Sequence, residues 1–178
     1  VRDGFFAGVL DMTTTEWADE VCGGLLSAGP DRLSAAAETG VPQVVAPGCI
    51  DMCNFWGRST VPEKYQGRLF YPWNPNVTLM RTTPEENAQM GRIFAEKLNR
   101  STGPTAMMIP VKGFSQLDPE GKPFHCPEAT RAFIEALKAN LRKDIPIMEM
   151  DTDINDPAFS GKTAETLLSM LAKASSPI

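Results

Sequence analysis

Residues 8–16 read Gly8-Val9-Leu10-Asp11-Met12-Thr13-Thr14-Thr15-Glu16. Apolar residues run from Phe5 to Leu10 and stop, three hydroxyls between two carboxylates follow, and a helical pattern opens near Trp17. That is the pattern of a buried strand feeding a polar loop into a helix. In open α/β sheets, ligands bind at such junctions. Four later strands are expected to end the same way, so their polar loops should converge on one cleft.

Outward from this stretch the chain alternates strand and helix. Strands are expected at residues 5–10, 43–46, 68–71, 105–109 and 145–150. Helices are expected at 16–26, 31–38, after Thr83, at 127–141 and from Asp156-Pro157. Thr83-Pro84-x-Glu86 is a capping box with proline at the first helical position, and Met90, Ile93, Phe94 and Leu98 follow as an apolar stripe. Gly23-Gly24 falls inside the first helix and implies close packing there. Leu167, Leu168 and Leu171 are the expected core positions of the last helix. Such alternation predicts a doubly wound, mainly parallel Rossmann-like or flavodoxin-like α/β domain of about five strands, covered on both faces.

The 178 residues suit one domain with a sizeable core. A net charge of -5 and no Lys/Arg cluster argue against a nucleic-acid partner. No apolar run approaches the ~20 residues of a membrane helix, and no signal peptide is visible. Four cysteines without a disulfide framework suit a reducing, cytoplasmic setting. The chain opens on Val1-Arg2-Asp3 without a cap, as expected of a domain preceded by another.

Reading off the strand ends gives the candidate ligand-binding set: Asp11, Thr13, Thr14, Thr15, Glu16, Gly48, Asp51, Asn54, Asn74, Arg81, Lys112 and Gly113. Hydroxyls, amides, carboxylates and two cations could hold a phosphate, a carboxylate or a hydrated divalent ion. Each has a plainer reading beside it. Thr13-x-x-Glu16 is also a capping box. Arg81 and Lys112 could be ion-pair residues, and Asp51 to Asn54 could be a tight turn. Thr14 and Thr15 are not needed for a cap and are expected to face a ligand or a second domain. His125, the one histidine, and the cysteines fit no metal spacing. No P-loop and no G-x-G-x-x-G is present, so a nucleotide's phosphates would need another cradle.

The sequence resembles the second half of a little-characterised family that includes the N-terminal, virus-inhibiting region of the tomato mosaic virus resistance protein. Carrying the resemblance are Val9-Leu10-Asp11-x-Thr13-Thr14-Thr15-Glu16, Asp51-Met52-x-Asn54-Phe55, Leu79-Met80-Arg81-Thr82-Thr83-x-x-Glu86-Asn87 and Pro110-x-Lys112-Gly113-x-Ser115-x-Leu117-Asp118. It departs at Trp73, where relatives tend to carry His. The resemblance implies two Rossmann-like domains, ATP binding and dimerisation. ATP and Mg would then be held mainly by the N-terminal domain, with no tight nucleotide binding by this chain alone. Implied partners are that N-terminal domain, a second copy and a small-molecule ligand. The resemblance names no reaction. A ligand-binding lobe is the leading expectation. The alternatives are an enzyme using Asp11 or Glu16 as base or metal ligand, and a protein-interaction module.

Overall fold

The computed structural model describes residues 1–174. Four parallel strands form the main sheet in the order β1 (Val9–Thr13), β2 (Gln43–Gly48), β6 (Thr105–Pro110), β7 (Ile147–Met150). The helices α1 (Glu16–Cys22), α2 (Ser34–Thr39), α3 (Pro84–Asn99), α4 (Pro127–Asn140) and α5 (Pro157–Ala174) complete the α/β pattern. This is the expected mainly parallel, Rossmann-like α/β architecture.

Side chains alternate across a strand, and β2 and β6 use both faces. Val45, Met107 and Ile109 point into a core with Trp17, Phe94 and Phe133 from α1, α3 and α4. Val44, Ala46, Ala106 and Met108 point the other way, onto Phe159, Leu167 and Met170 of α5. Leu168, expected in the core, is exposed.

One expected strand belongs elsewhere. The run expected at 68–71 is β4 (Phe70–Asn74), and it lies outside the parallel sheet. It pairs antiparallel with β5 (Val77–Arg81), which pairs with β3 (Met52–Phe55) in a separate sheet of order β3-β5-β4. The Asn74-Pro75-Asn76 turn makes the hairpin, with Asn76 N donating to Asn74 Oδ1 at 2.9 Å. Alternation sorts this sheet too. Cys53, Phe55 and Met80 pack with Cys22 and Tyr65. Met52 and Leu79 pack with Leu117 and Phe124.

Three local expectations also change. The first strand begins at Val9, and Phe5 and Phe6 are exposed before it. As an edge strand, β1 can carry Asp11 within it. The first helix stops at Gly23, which takes a left-handed φ of 71°. A Cβ on Gly24 would strike Asp19 Oδ1 and Cys53 Sγ, so the glycine pair is a stop plus a close approach to β3. Thr13 and Glu16 form no capping box, because Thr15 is the cap and its side chain makes no capping bond. The box at Thr83 and Glu86 is complete.

Candidate functional site

A cleft of about 680 Å³ opens where the carboxyl ends of β1, β2, β6 and β7 meet the small sheet. Its floor comes from Met12 and Thr13 at the end of β1, Cys49 after β2, Ser115 to Leu117 after β6, and Ile154 and Asn155 after β7. Its far wall is Met52 and Asn54 of β3, Trp73 and Asn74 of β4, and Val77 and Leu79 of β5. None of these residues carries a charge.

Backbone geometry brings the two sheets this close. Gly48 pairs with Thr13 at a register shift in the β1–β2 ladder. A Cβ there would lie 2.1 Å from Met12 O. Cys49 follows at a left-handed φ of 60°, turning the chain from β2 towards β3. Its thiol is pushed up to about 12 by burial, then by Asp51 and Glu16. It is therefore a protonated, apolar residue of the floor, not a thiolate.

Behind the floor lies a buried polar network. Ser115 Oγ donates to Asp51 Oδ2 at 2.7 Å and accepts from Leu117 N at 3.0 Å. Asp51 is fully buried, and its Oδ1 has no partner. Burial first, then the Asp118 charge, push its carboxyl up to about 7, against the pull of Arg81. Arg81 clamps three segments, donating to Phe124 O at 2.7 Å, Asp51 O at 3.2 Å and Asp118 Oδ1 at 3.0 Å.

The structure thus divides the expected site residues. Thr13, Asn54 and Asn74 line the cleft, and Gly48 shapes it. Thr15 stands one bond back, accepting from Asn54 Nδ2 at 3.2 Å. Thr14 is fully buried, and its Oγ1 donates to Ala46 O at 3.1 Å, so it fastens β1 to β2. Asp11 and Glu16 pair with Arg32, and Asp11 faces a separate hollow on the α2 side. Asp51 and Arg81 belong to the buried network. Lys112 pairs with Asp151 at 2.8 Å and faces a neighbouring 340 Å³ pocket with His125 and Asp153. Gly113 is buried beside it, with φ 151° where the loop folds back against Pro119. The apolar wall from β3 and β5 is absent from the expected set. The Asn-Pro-Asn turn between two strand-like runs was the signal for it.

All four cysteines are unpaired, Cys22 and Cys53 buried, Cys49 and Cys126 half-buried. No helix among the described residues is long and apolar enough to cross a membrane.

Residues 1–171 match the family model described as the uncharacterised protein family UPF0261, C-terminal domain. A UPF0261 protein of Clostridium tetani is 51% identical over 97% of this chain and 43% of its own length. One of Rhizobium meliloti is 50% identical over 88% of this chain and 40% of its own. The ToMV resistance protein Tm-1(GCR237) of Solanum lycopersicum is 38% identical over 98% of this chain and 23% of its own. The chain therefore spans less than half the length of these relatives. With its match running from the first residue past the cleft-forming loops and into α5, the chain belongs to the UPF0261 family, as its C-terminal domain.

Proposed function

We propose that this chain is a ligand-binding lobe whose cleft holds the uncharged part of a small molecule. The charged part, a nucleotide's phosphates or a carboxylate, meets the N-terminal half of the full-length protein. The observation that carries this is the uncharged lining of the 680 Å³ cleft at the carboxyl edge of the sheet. The charged candidates beside it, Asp11, Glu16, Arg81 and Lys112, are all engaged with protein partners. The sequence carries no P-loop and no G-x-G-x-x-G to cradle a nucleotide's phosphates. ATP with Mg in the whole protein, a dimeric assembly and a cytoplasmic setting belong to the same reading. The resemblance supports the first two, and the unpaired thiols support the third.

Titration calorimetry with ATP and Mg²⁺ on the full-length protein and on this chain tests it. The full-length protein is expected to bind and the chain alone to bind weakly. Trp73→Ala in the full-length protein is expected to weaken binding about tenfold, since stacking on an exposed aromatic is worth about 1–3 kcal/mol. Sub-micromolar binding by the chain alone, or an unchanged affinity in the variant, overturns the reading.

An enzymatic reading rests on one observation, the Ser115–Asp51 hydrogen bond at the cleft floor. Labelling of Ser115 by a fluorophosphonate, located by mass spectrometry, would favour it. An unlabelled chain leaves the binding reading alone.

A further inference from the structure

The cleft sets its hydrogen-bonding sense before any ligand arrives. Asn54 Nδ2 donates to Asp19 Oδ2 at 2.7 Å and to Thr15 Oγ1 at 3.2 Å. A side-chain amide nitrogen has two hydrogens, so both are used. Asp19 is fully buried on α1, and its Oδ1 accepts from the Asn54 backbone N at 2.7 Å and from Cys53 Sγ at 3.4 Å. An ionised carboxylate only accepts. A flipped Asn54 amide would set oxygen against oxygen beside a buried charge, so the network fixes the orientation. Burial raises the Asp19 carboxyl above its ordinary value, and the bonds from Asn54 offset only part of that rise. Asn54 Oδ1 has no partner among the described residues, and Asn54 lines the cleft. It is a locked acceptor.

Asn74 has the opposite sense. Its Oδ1 is taken by Asn76 N at 2.9 Å, which leaves the Nδ2 hydrogens as donors. Trp73, half-exposed, stands next to it on the same wall.

We propose that the cleft selects an uncharged planar amide group, –C(=O)–NH–, with its N–H to Asn54 Oδ1 and its carbonyl to Asn74 Nδ2. A carboxamide and a nucleobase ring share this chemistry. Asn54 is then the specificity-determining residue and Asp19 its positioning residue. The inference rests on the binding-lobe reading and adds the polarity of the site.

The test is a set of two-dimensional NMR titrations of the ¹⁵N-labelled chain at millimolar probe concentrations. Nicotinamide offers both donor and acceptor. N,N-diethylnicotinamide lacks the donor, and nicotinate replaces it with a charged acceptor. Nicotinamide is expected to shift the Asn54 side-chain and Trp73 indole signals. The other two are expected to bind about tenfold more weakly, the loss of one hydrogen bond. 1-Methyluracil carries the same group in a ring. Its affinity relative to nicotinamide tells a base-type ligand from an open carboxamide. Asp19→Asn, checked for folding by its spectrum, releases the lock and is expected to shrink the preference for nicotinamide over nicotinate to about twofold. If the wild-type chain binds all three nicotinoyl probes alike, the polarity inference falls and the binding site stands. If no probe moves any signal of the lining, the binding-lobe reading falls and takes this inference with it.

Discussion

Asp51 is an acid buried without a cation of its own, and its raised carboxyl has a direct consequence for stability. The folded state keeps the proton to about pH 7, while the unfolded chain gives it up near the ordinary value of 3.8. Between those values the native state holds more protons than the unfolded one. Stability therefore falls as pH rises through this window, by up to about 1.4 kcal/mol per pH unit, and levels off above it. Asp118, raised mainly by burial, acts in the same direction. Asp51→Asn is expected to remove most of the fall between pH 5 and 8, read from urea midpoints at each pH. Equal slopes in variant and wild type would contradict this origin. Thr14 shows where reading the sequence stops at this scale. Three successive threonines look alike in the chain, yet one lies exposed in the cleft, one is buried and one supports Asn54. Thr14→Ala is expected to cost about 1–2 kcal/mol for the lost buried hydrogen bond. Thr15→Ala should stay within about 0.5 kcal/mol, with thermal unfolding as the measurement.

At the level of elements, the helices with strong end signals were legible. Thr83 and Glu86 mark the start of α3 by local chemistry alone, and Gly40 stops α2 with a left-handed φ of 72°. The hairpin was not read, because the apolar residues of β5 face both ways and resemble a short buried run rather than an alternating strand. Its partner β3 passes for a turn, being four residues long and set directly behind Asp51. Packing can also override propensity. Gly91 sits mid-helix in α3, where alanine would ordinarily add about 1 kcal/mol of stability. A Cβ there would meet Phe133 O of α4 at 2.5 Å. Separating the two helices costs about 1–3 kcal/mol, so Gly91→Ala is expected to lower the melting temperature. A rise would mean that α3 and α4 have room to part.

For the whole molecule, alternation of strand and helix was enough to read a parallel sheet with helices on both faces. It could not reveal that the strand order runs in one direction without reversing, or that a second sheet is inserted between β2 and β6. Both depend on pairings between residues far apart in the chain, which leave no local mark. The cleft between the sheets was therefore legible only in its polar residues, Thr13 on the floor and Asn54 and Asn74 on the far wall, and its apolar wall came from the structure. Since no charged side chain lines it, probe binding by this chain is expected to change less than twofold when ionic strength rises from about 0.1 M to about 1 M, a range that screens surface charge strongly. A steep loss would place the ligand beside Lys112 instead. The one-way strand order also bears on how the protein is made. Helices α1 to α4 settle on one side as their strands appear, and the other side waits for α5, the last element described. During synthesis, Val44, Ala46, Ala106 and Met108 stay open to water until residues 157–174 have left the ribosome. A chain halted at residue 156 is thus expected to be held by chaperones or to precipitate, since α5 is what covers that face of the sheet.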